Sequence, residues 1–538
     1  MKDRYAAGID FGTESGRVML ARLSDGEEAA SAVVPYPNGV LDRQLPDRTP
    51  LGHDWALQDP RDYLLVLREG VPQALAAAGI EAEQVAGIGI DFTSCTMLPT
   101  LADGTPLCVL PRFAGEPHAW VKLWKHHAAQ PEATRINEVG AKFHEEALGV
   151  TNGRQSSEWF FAKVLQLLDE APAVYQAAER LIEAADWIVW QLTGRERRSE
   201  CCAGYKGMWI KGRGFPSREF LRALDPRLEH VVGEKLAAEY YPLGSPAGAL
   251  TGPIAQITRL LPGTPVAVGN IDAHAAVPAS GVVQPGVMAM IMGTSLCHML
   301  LGEERKFVEG VAGVVEDGIV PGYWGYEAGQ AAVGDLYAWC FRVFGANPDS
   351  LAEQAARLRP GSSGLLALDW WNGNRSVLMN ADLSGLLVGA TLATQPPDIY
   401  RALIEATAFG TRAIIDAFEK EQIPIRQLVA SGGLAQKSPL VMQIFADVTN
   451  RTLQLARSPQ ASGLGAAMHG AVAAGAFADI GEAASHMAGL PARAYHPDPA
   501  AHAIYEQLYA EYLTLHDYFG RGVNEVMQRL KAIKLGTD

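Results

Sequence analysis

Asp10, Gly12, Thr13 and Ser15 stand together in GIDFGTESGR, residues 8–17. One carboxylate, two hydroxyls and a glycine turn that frees backbone N–H groups suit phosphate oxygens and a hydrated metal ion. The same residue types return in MGTS, residues 292–295, with Gly293, Thr294 and Ser295 in one turn. Asp91, Thr93 and Ser94 end a further apolar run, VAGIGIDFTS, and Asn270, Asp272 and His274 end another, PVAVGNIDAHA. Polar groups at the carboxyl ends of buried strands are where α/β sheets place ligands, although such residues also serve simply to cap a strand. Gly432 and Gly433 separate an apolar run from a helical segment, so a ligand could approach the backbone there. A plain strand-to-helix turn would use the same glycines. Lys206 lies among glycine and aromatic residues in CCAGYKGMW, and Glu327 precedes the glycine-spaced AGQAAVGD that holds Gly334.

These residues need strands to carry them. In the opening stretch an apolar strand ends on Asp10 and a second (Val18, Met19, Leu20) leads away, which predicts a β-hairpin with a polar tip. VMAMIMGTSLCHML, residues 287–300, repeats that layout at about the length of a domain, an internal echo expected of duplicated domains. Between them, Pro35, Pro37, Pro46 and Pro50 predict loop, and Asp59-Pro60 predicts a helix start running to Ala78 with a kink at Pro72. SSEWFFAKVLQLLDEAP (156–172) predicts a helix capped by Ser156 or Ser157, and residues 399–418 predict a long amphipathic one. In WVKLWKHHAAQ (120–130), Lys122, Lys125, His126 and His127 could meet an anionic or polyhydroxyl ligand, but a solvated helix face is the plainer reading. The aromatic stripe of Tyr505, Tyr509, Tyr512 and Phe519 reads as packing surface.

A chain of 538 residues exceeds one hydrophobic core, so two large domains are expected, divided as 1–284 and 285–538. A net charge of −15 argues against binding nucleic acid or anionic lipid. The six cysteines contain no CxxC pair, so neither a disulfide framework nor a zinc site is suggested. No stretch reads as a signal peptide or membrane span, and the expected location is the cytoplasm.

With both hairpins, the paired glycines and a carboxylate-bearing strand in order, the chain resembles the FGGY carbohydrate kinases of the sugar kinase, chaperone ATPase and actin superfamily. The resemblance runs over nearly the whole length. It implies an α/β fold of two ribonuclease-H-like domains around a deep cleft, sugar held mainly by residues 1–284 and ATP mainly by 285–538. It implies ATP and Mg2+ as cofactors, a small-molecule sugar as partner, no nucleic acid or membrane partner, and a homodimer as one assembly left open. Asp10 would hold the metal; Gly12, Thr13, Gly293, Thr294 and Ser295 would line two phosphate loops; Gly334, Gly432 and Gly433 would lie along the nucleotide. Asp272 falls at the family's general base, and Ser94, Lys206 and Glu327 match positions expected to bind the sugar. DFTSCTMLP, KLWKHH and ALDWWNGNRS point within the family to L-ribulose as substrate, in L-arabinose catabolism; another ketopentose or pentitol (D-ribulose, ribitol, xylulose) is the alternative, and an actin-like nucleotide switch the remote one. Ser94 departs from the alanine, and Ser438 from the asparagine, often found at their positions.

Overall fold

The computed structural model describes residues 3–143, 145–151, 153–489 and 493–535. The chain forms two compact units, one of Met1–Val283, Gly313–Gly325 and Gln460–Gly489, the other of Gln284–Ala312, Tyr326–Pro459 and Leu490–Asp538.

The first unit is organised by strands β1 (Tyr5–Phe11), β2 (Ser15–Arg22), β3 (Glu28–Pro35), β4 (Val85–Phe92), β5 (Pro246–Ala249), β6 (Pro265–Ala267) and β7 (Asn270–Ile271). They lie in the order β5-β6-β4-β1-β2-β3, with β7 also paired to β4. The β3-β2-β1 meander is antiparallel, whereas β4 runs parallel to β1. Ala6, Ala7, Ile9 and Phe11 of β1 are all buried, the continuous apolar run of a strand covered on both faces. Three helices matter to the site: α1 (Phe160–Glu170), α2 (Glu200–Lys206) and α3 (Asp272–Ala279).

The second unit repeats the plan. Its strands are β8 (Val287–Met292), β9 (Leu296–Gly302), β10 (Trp324–Gln330), β11 (Gln427–Ser431), β12 (Leu453–Leu455) and β13 (Arg493–Tyr495), in the order β10-β9-β8-β11-β12-β13. The hairpin strand β8 is antiparallel to β9 and parallel to β11, as β1 is antiparallel to β2 and parallel to β4. Helices α4 (Gly334–Phe344), α5 (Pro396–Lys420) and α6 (Gly433–Lys437) belong to this unit. Helix α7 (Ala461–Ala473) returns to the first unit and lies on β1 and β4 at backbone contact, since a Cβ at Gly8 would come 1.9 Å from the Gly463 carbonyl. Tyr505, Tyr509 and Tyr512 are buried, the packing surface expected of them.

Several local expectations need revision. The proline-rich loop is preceded by a strand, β3, which ends on Pro35; its alternately exposed residues are those of a sheet edge, which weakens any apolar signal. Asp59 and Pro60 do start a helix, but the change near Pro72 is a π turn over Val66–Gly70 rather than a simple kink. Helix α1 is preceded by Trp159 with no side-chain cap, because Ser156 is spent in the turn before it, accepting the Glu158 N–H at 3.3 Å. WVKLWKHHAAQ is not a solvated helix face: Val121–Lys122 is a strand, and Lys122 and His126 are 1% and 0% exposed. Among the described residues no helix is long and apolar enough to cross a membrane. None of the six cysteines forms a disulfide.

Candidate active site

In the first unit the hairpin tip is closed by the Gly12 N–H donating to the Ser15 carbonyl at 3.0 Å. Gln58 Nε2 donates to the Thr13 carbonyl at 2.7 Å, and the Trp124 indole N–H donates to Thr13 Oγ1 at 3.1 Å, so the turn is braced from outside. Parallel pairing sets Asp10 beside Asp91 and Phe11 beside Phe92, whose rings stack at 5.0 Å. Asp91 is fully buried, its carboxylate oxygens receive no hydrogen bond from an N–H or hydroxyl donor, and its side chain meets the Asp10 carboxyl. Burial first, then the charges of Asp10 and Asp272, push its pKa well above the carboxylate range; burial also raises that of Asp10. A buried carboxylate left without donors beside a second one is stabilised by a proton or a cation.

Asp272 joins this pair from the other side of β4. Asn270 and Ile271 pair with Asp91 and Phe92, which puts Asp272 at the start of α3, half-buried, with its Oδ1 accepting the Ala273 N–H at 2.6 Å. Three carboxylates thus gather at the carboxyl ends of β1, β4 and β7. Their oxygens suit a hard cation such as Mg2+, which binds through one or two carboxylates and takes its other ligands from water and phosphate. Among the described residues no group of three or more His, Cys, Asp or Glu side chains is arranged to hold a metal alone.

Ser94 follows β4 in a turn that Thr93 and Thr96 close through a 2.8 Å hydroxyl contact, with Cys95 left-handed at φ 56°. Lys206 ends α2 and is buried, 5.4 Å from the Trp159 ring. Burial raises the pKa of Cys95 and lifts that of Glu183 to about 8, and the Lys206 charge opposes both shifts in part. Helix α2 is docked on α3 by Cys201, whose thiol lies 3.2 Å from His274 Nδ1 and 3.5 Å from Asn270 Oδ1. The first unit therefore brings Asp10, Gly12, Thr13, Ser94, Lys206 and Asp272 into one neighbourhood, with Asp91 and Trp124 added.

In the second unit the Gly293 N–H donates to the Ser295 carbonyl at 2.9 Å, the counterpart of the Gly12 closure one residue shorter. The Thr294 carbonyl accepts from Val333 (2.9 Å) and Asp335 (3.2 Å), drawing the start of α4 onto the turn. Gly334 is required there, because a Cβ would come 2.4 Å from the Gly293 carbonyl. Gly432 follows β11 at φ 95°, where a Cβ would come 2.5 Å from the Met292 carbonyl, while Gly433 faces open space. Gly293, Thr294, Ser295, Gly334, Gly432 and Gly433 form one backbone-lined cluster at the carboxyl ends of β8 and β11. Glu327 is buried on β10 of this unit. Its strand is anchored by the ALDWWNGNRS run: Ser376 bonds Gly329 in both directions, at 3.1 and 3.2 Å, and Asp369 accepts from Gln330 Nε2 at 2.7 Å.

Two α/β units, each presenting a polar hairpin turn at the carboxyl ends of parallel strands, have the architecture of the two-domain sugar kinases. The chain is similar to the ligand-bound xylulose kinase from Lactobacillus acidophilus, with a TM-score of 0.81 at 18% identity, over 96% of this chain and 98% of that one. The N-terminal domain model of the FGGY family of carbohydrate kinases matches residues 5–278 and the C-terminal domain model residues 288–474. The chain belongs to the FGGY family of carbohydrate kinases. It is 54% identical to the ribulokinase of Halalkalibacterium halodurans, over 99% of this chain and 98% of that protein. It is 55% identical to the ribulokinase of Anoxybacillus flavithermus, over 99% of this chain and 97% of that protein.

Proposed function

We propose that this kinase transfers the γ-phosphoryl group of ATP to the terminal hydroxyl of L-ribulose, giving L-ribulose 5-phosphate and ADP. The observation that carries the reading is identity above one half, over nearly the full length, to relatives named ribulokinase. The turn geometry supports it independently, since phosphoryl transfer asks a protein chiefly for positioning and charge neutralisation.

In this reading the turns that Gly12 and Gly293 close hold phosphate oxygens through their remaining backbone N–H groups, and Gly334, Gly432 and Gly433 lie along the nucleotide. Asp10, with Asp91 beside it, holds Mg2+, which when bound neutralises phosphate charge. The buried pair of Asp10 and Asp91, in which the Asp91 oxygens receive no N–H or hydroxyl donor, is the feature that fits a cation there. Ser94, Lys206 and Glu327 bind the ketopentose through hydrogen bonds. Asp272 accepts the proton of the attacking hydroxyl at its carboxylate as the new O–P bond forms, because an alcohol is a poor nucleophile until that proton has a place to go. The first unit takes mainly the sugar and the second mainly the nucleotide.

The test is a coupled ADP-release assay over a panel of pentoses and pentitols, with and without Mg2+. L-Ribulose is expected to give the highest kcat/KM, and only with Mg2+ present. A clear preference for D-xylulose or ribitol would overturn the substrate assignment, and ADP release indifferent to any sugar would overturn the kinase reading.

A further inference from the structure

Helix α1 carries a fully buried lysine that no step above uses. Lys163 lies in its first turn with its side chain 0% exposed. Its Nζ donates to the Cys95 carbonyl at 2.6 Å and to the Leu123 carbonyl at 2.8 Å. Taking an ammonium out of water costs several kcal/mol unless its donors are well satisfied, and an apolar side chain of similar volume would fill the space without that cost. What the charge adds is the fixed direction of two carbonyls that belong to separate segments.

Both segments lead to the site. Cys95 is the left-handed residue directly after Ser94, so holding its carbonyl holds the turn that presents the Ser94 hydroxyl. Leu123 directly precedes Trp124, whose indole N–H reaches Thr13 Oγ1 at 3.1 Å in the first phosphate turn. One turn further along α1, Gln166 Oε1 accepts from Lys122 Nζ at 3.0 Å and meets His126 Nε2 at 2.9 Å, steadying the same segment. Of these bonds from α1, only those of Lys163 join that segment to the Ser94 turn.

We propose that Lys163 is a positioning residue that clamps the Ser94 turn and the Trp124 segment together, so that the sugar-side hydroxyl and the phosphate turn are set by one ammonium. The kinetic part of this inference rests on the kinase reading; the clamp itself does not.

The test compares wild type with K163M, and with K163Q, which keeps a neutral donor. Amide hydrogen exchange is followed in the unliganded proteins. Segments 93–96 and 123–126 are expected to exchange at least about tenfold faster in K163M, with the rest of the chain unchanged. In steady-state assays the sugar KM is expected to rise about tenfold while kcat stays within about threefold. K163Q should lie between the two. W124F should raise the KM for ATP in wild type and add much less to it in K163M, the non-additivity of residues on one path. Unchanged exchange in both segments, exchange raised throughout, additive effects of W124F and K163M, or failure of both Lys163 variants to fold would overturn the clamp. A wild type without sugar-dependent ADP release would overturn the kinase reading alone, and the exchange data would still decide the clamp.

Discussion

Substituting Gly465 by alanine tests whether Asp272, the proposed general base, is positioned by backbone packing. Gly465 lies on α7, and a Cβ built there would come 1.8 Å from the carbonyl oxygen of Ala275. Real Cβ atoms essentially never approach within 3.0 Å, so one helix must move by at least about 1.2 Å or rotate. The opposing atom is backbone and cannot swing aside. On its other side α7 cannot retreat, because a Cβ at Gly89 would already meet the Ala466 carbonyl at 1.7 Å, the mark of a helix seated directly on β4. Overpacking of this kind costs about 1–3 kcal/mol, and contact against backbone on both sides argues for the upper end. Ala275 is one turn beyond Asp272 on α3, so a shift of about 1 Å there also misplaces the carboxylate, which can cost about 100-fold in kcat. The assay is urea unfolding followed by far-UV circular dichroism, together with kcat on L-ribulose. G233A is the control: nothing lies within 4 Å of its Cβ, and alanine in that short helix is expected to be neutral or stabilising by up to about 1 kcal/mol. G465A with the unfolding midpoint and kcat of wild type would refute both the packing argument and the link from α7 through α3 to Asp272.

The remaining predictions concern charge. D272N should leave sugar binding measurable by calorimetry while lowering kcat about 10²–10⁴-fold, the usual contribution of a general base; near-normal turnover would remove Asp272 from the mechanism. D10N should weaken Mn2+ binding to the ADP-loaded protein by at least about tenfold in electron paramagnetic resonance titrations, and unchanged binding would move the metal elsewhere. Burial pushes the pKa of Glu183 up to about 8 from an ordinary 4.5. The folded state therefore keeps a proton that the unfolded chain has lost, so its stability contribution is complete below about pH 4.5 and declines as pH rises toward 8, by up to about 1.4 kcal/mol per unit. The difference in urea midpoint between wild type and E183Q should follow that fall, and a difference that is flat or rises over the window would show the carboxyl to be ionised in the fold.

How much of this was legible in the sequence depends on the distance over which each feature is made. The two hairpin turns are local, since glycine, threonine and serine between apolar runs specify the turn and its exposed N–H groups with little help, and the Gly12 and Gly293 closures follow. The paired glycines were legible for the same reason. Asp91 was visible as a polar strand end but not as the partner of Asp10, because that pairing is created by the register of β1 on β4. Lys122 and His126 have helical spacing to the eye, yet Lys122 pairs with Leu57 and Met97 in a small sheet that buries both side chains, and no pattern within residues 120–130 announces those strands. Lys163 reads as one more polar residue on an amphipathic helix. Its role depends on two carbonyls, and carbonyls carry no residue type. The site was therefore readable where side-chain chemistry or turn conformation does the work, and silent where backbone groups brought together by tertiary packing do it. Alanine substitution of conspicuous polar residues shares that blindness, whereas Gly465 and Lys163 report on backbone position, and they separate a correctly assembled site from one that merely contains the right side chains.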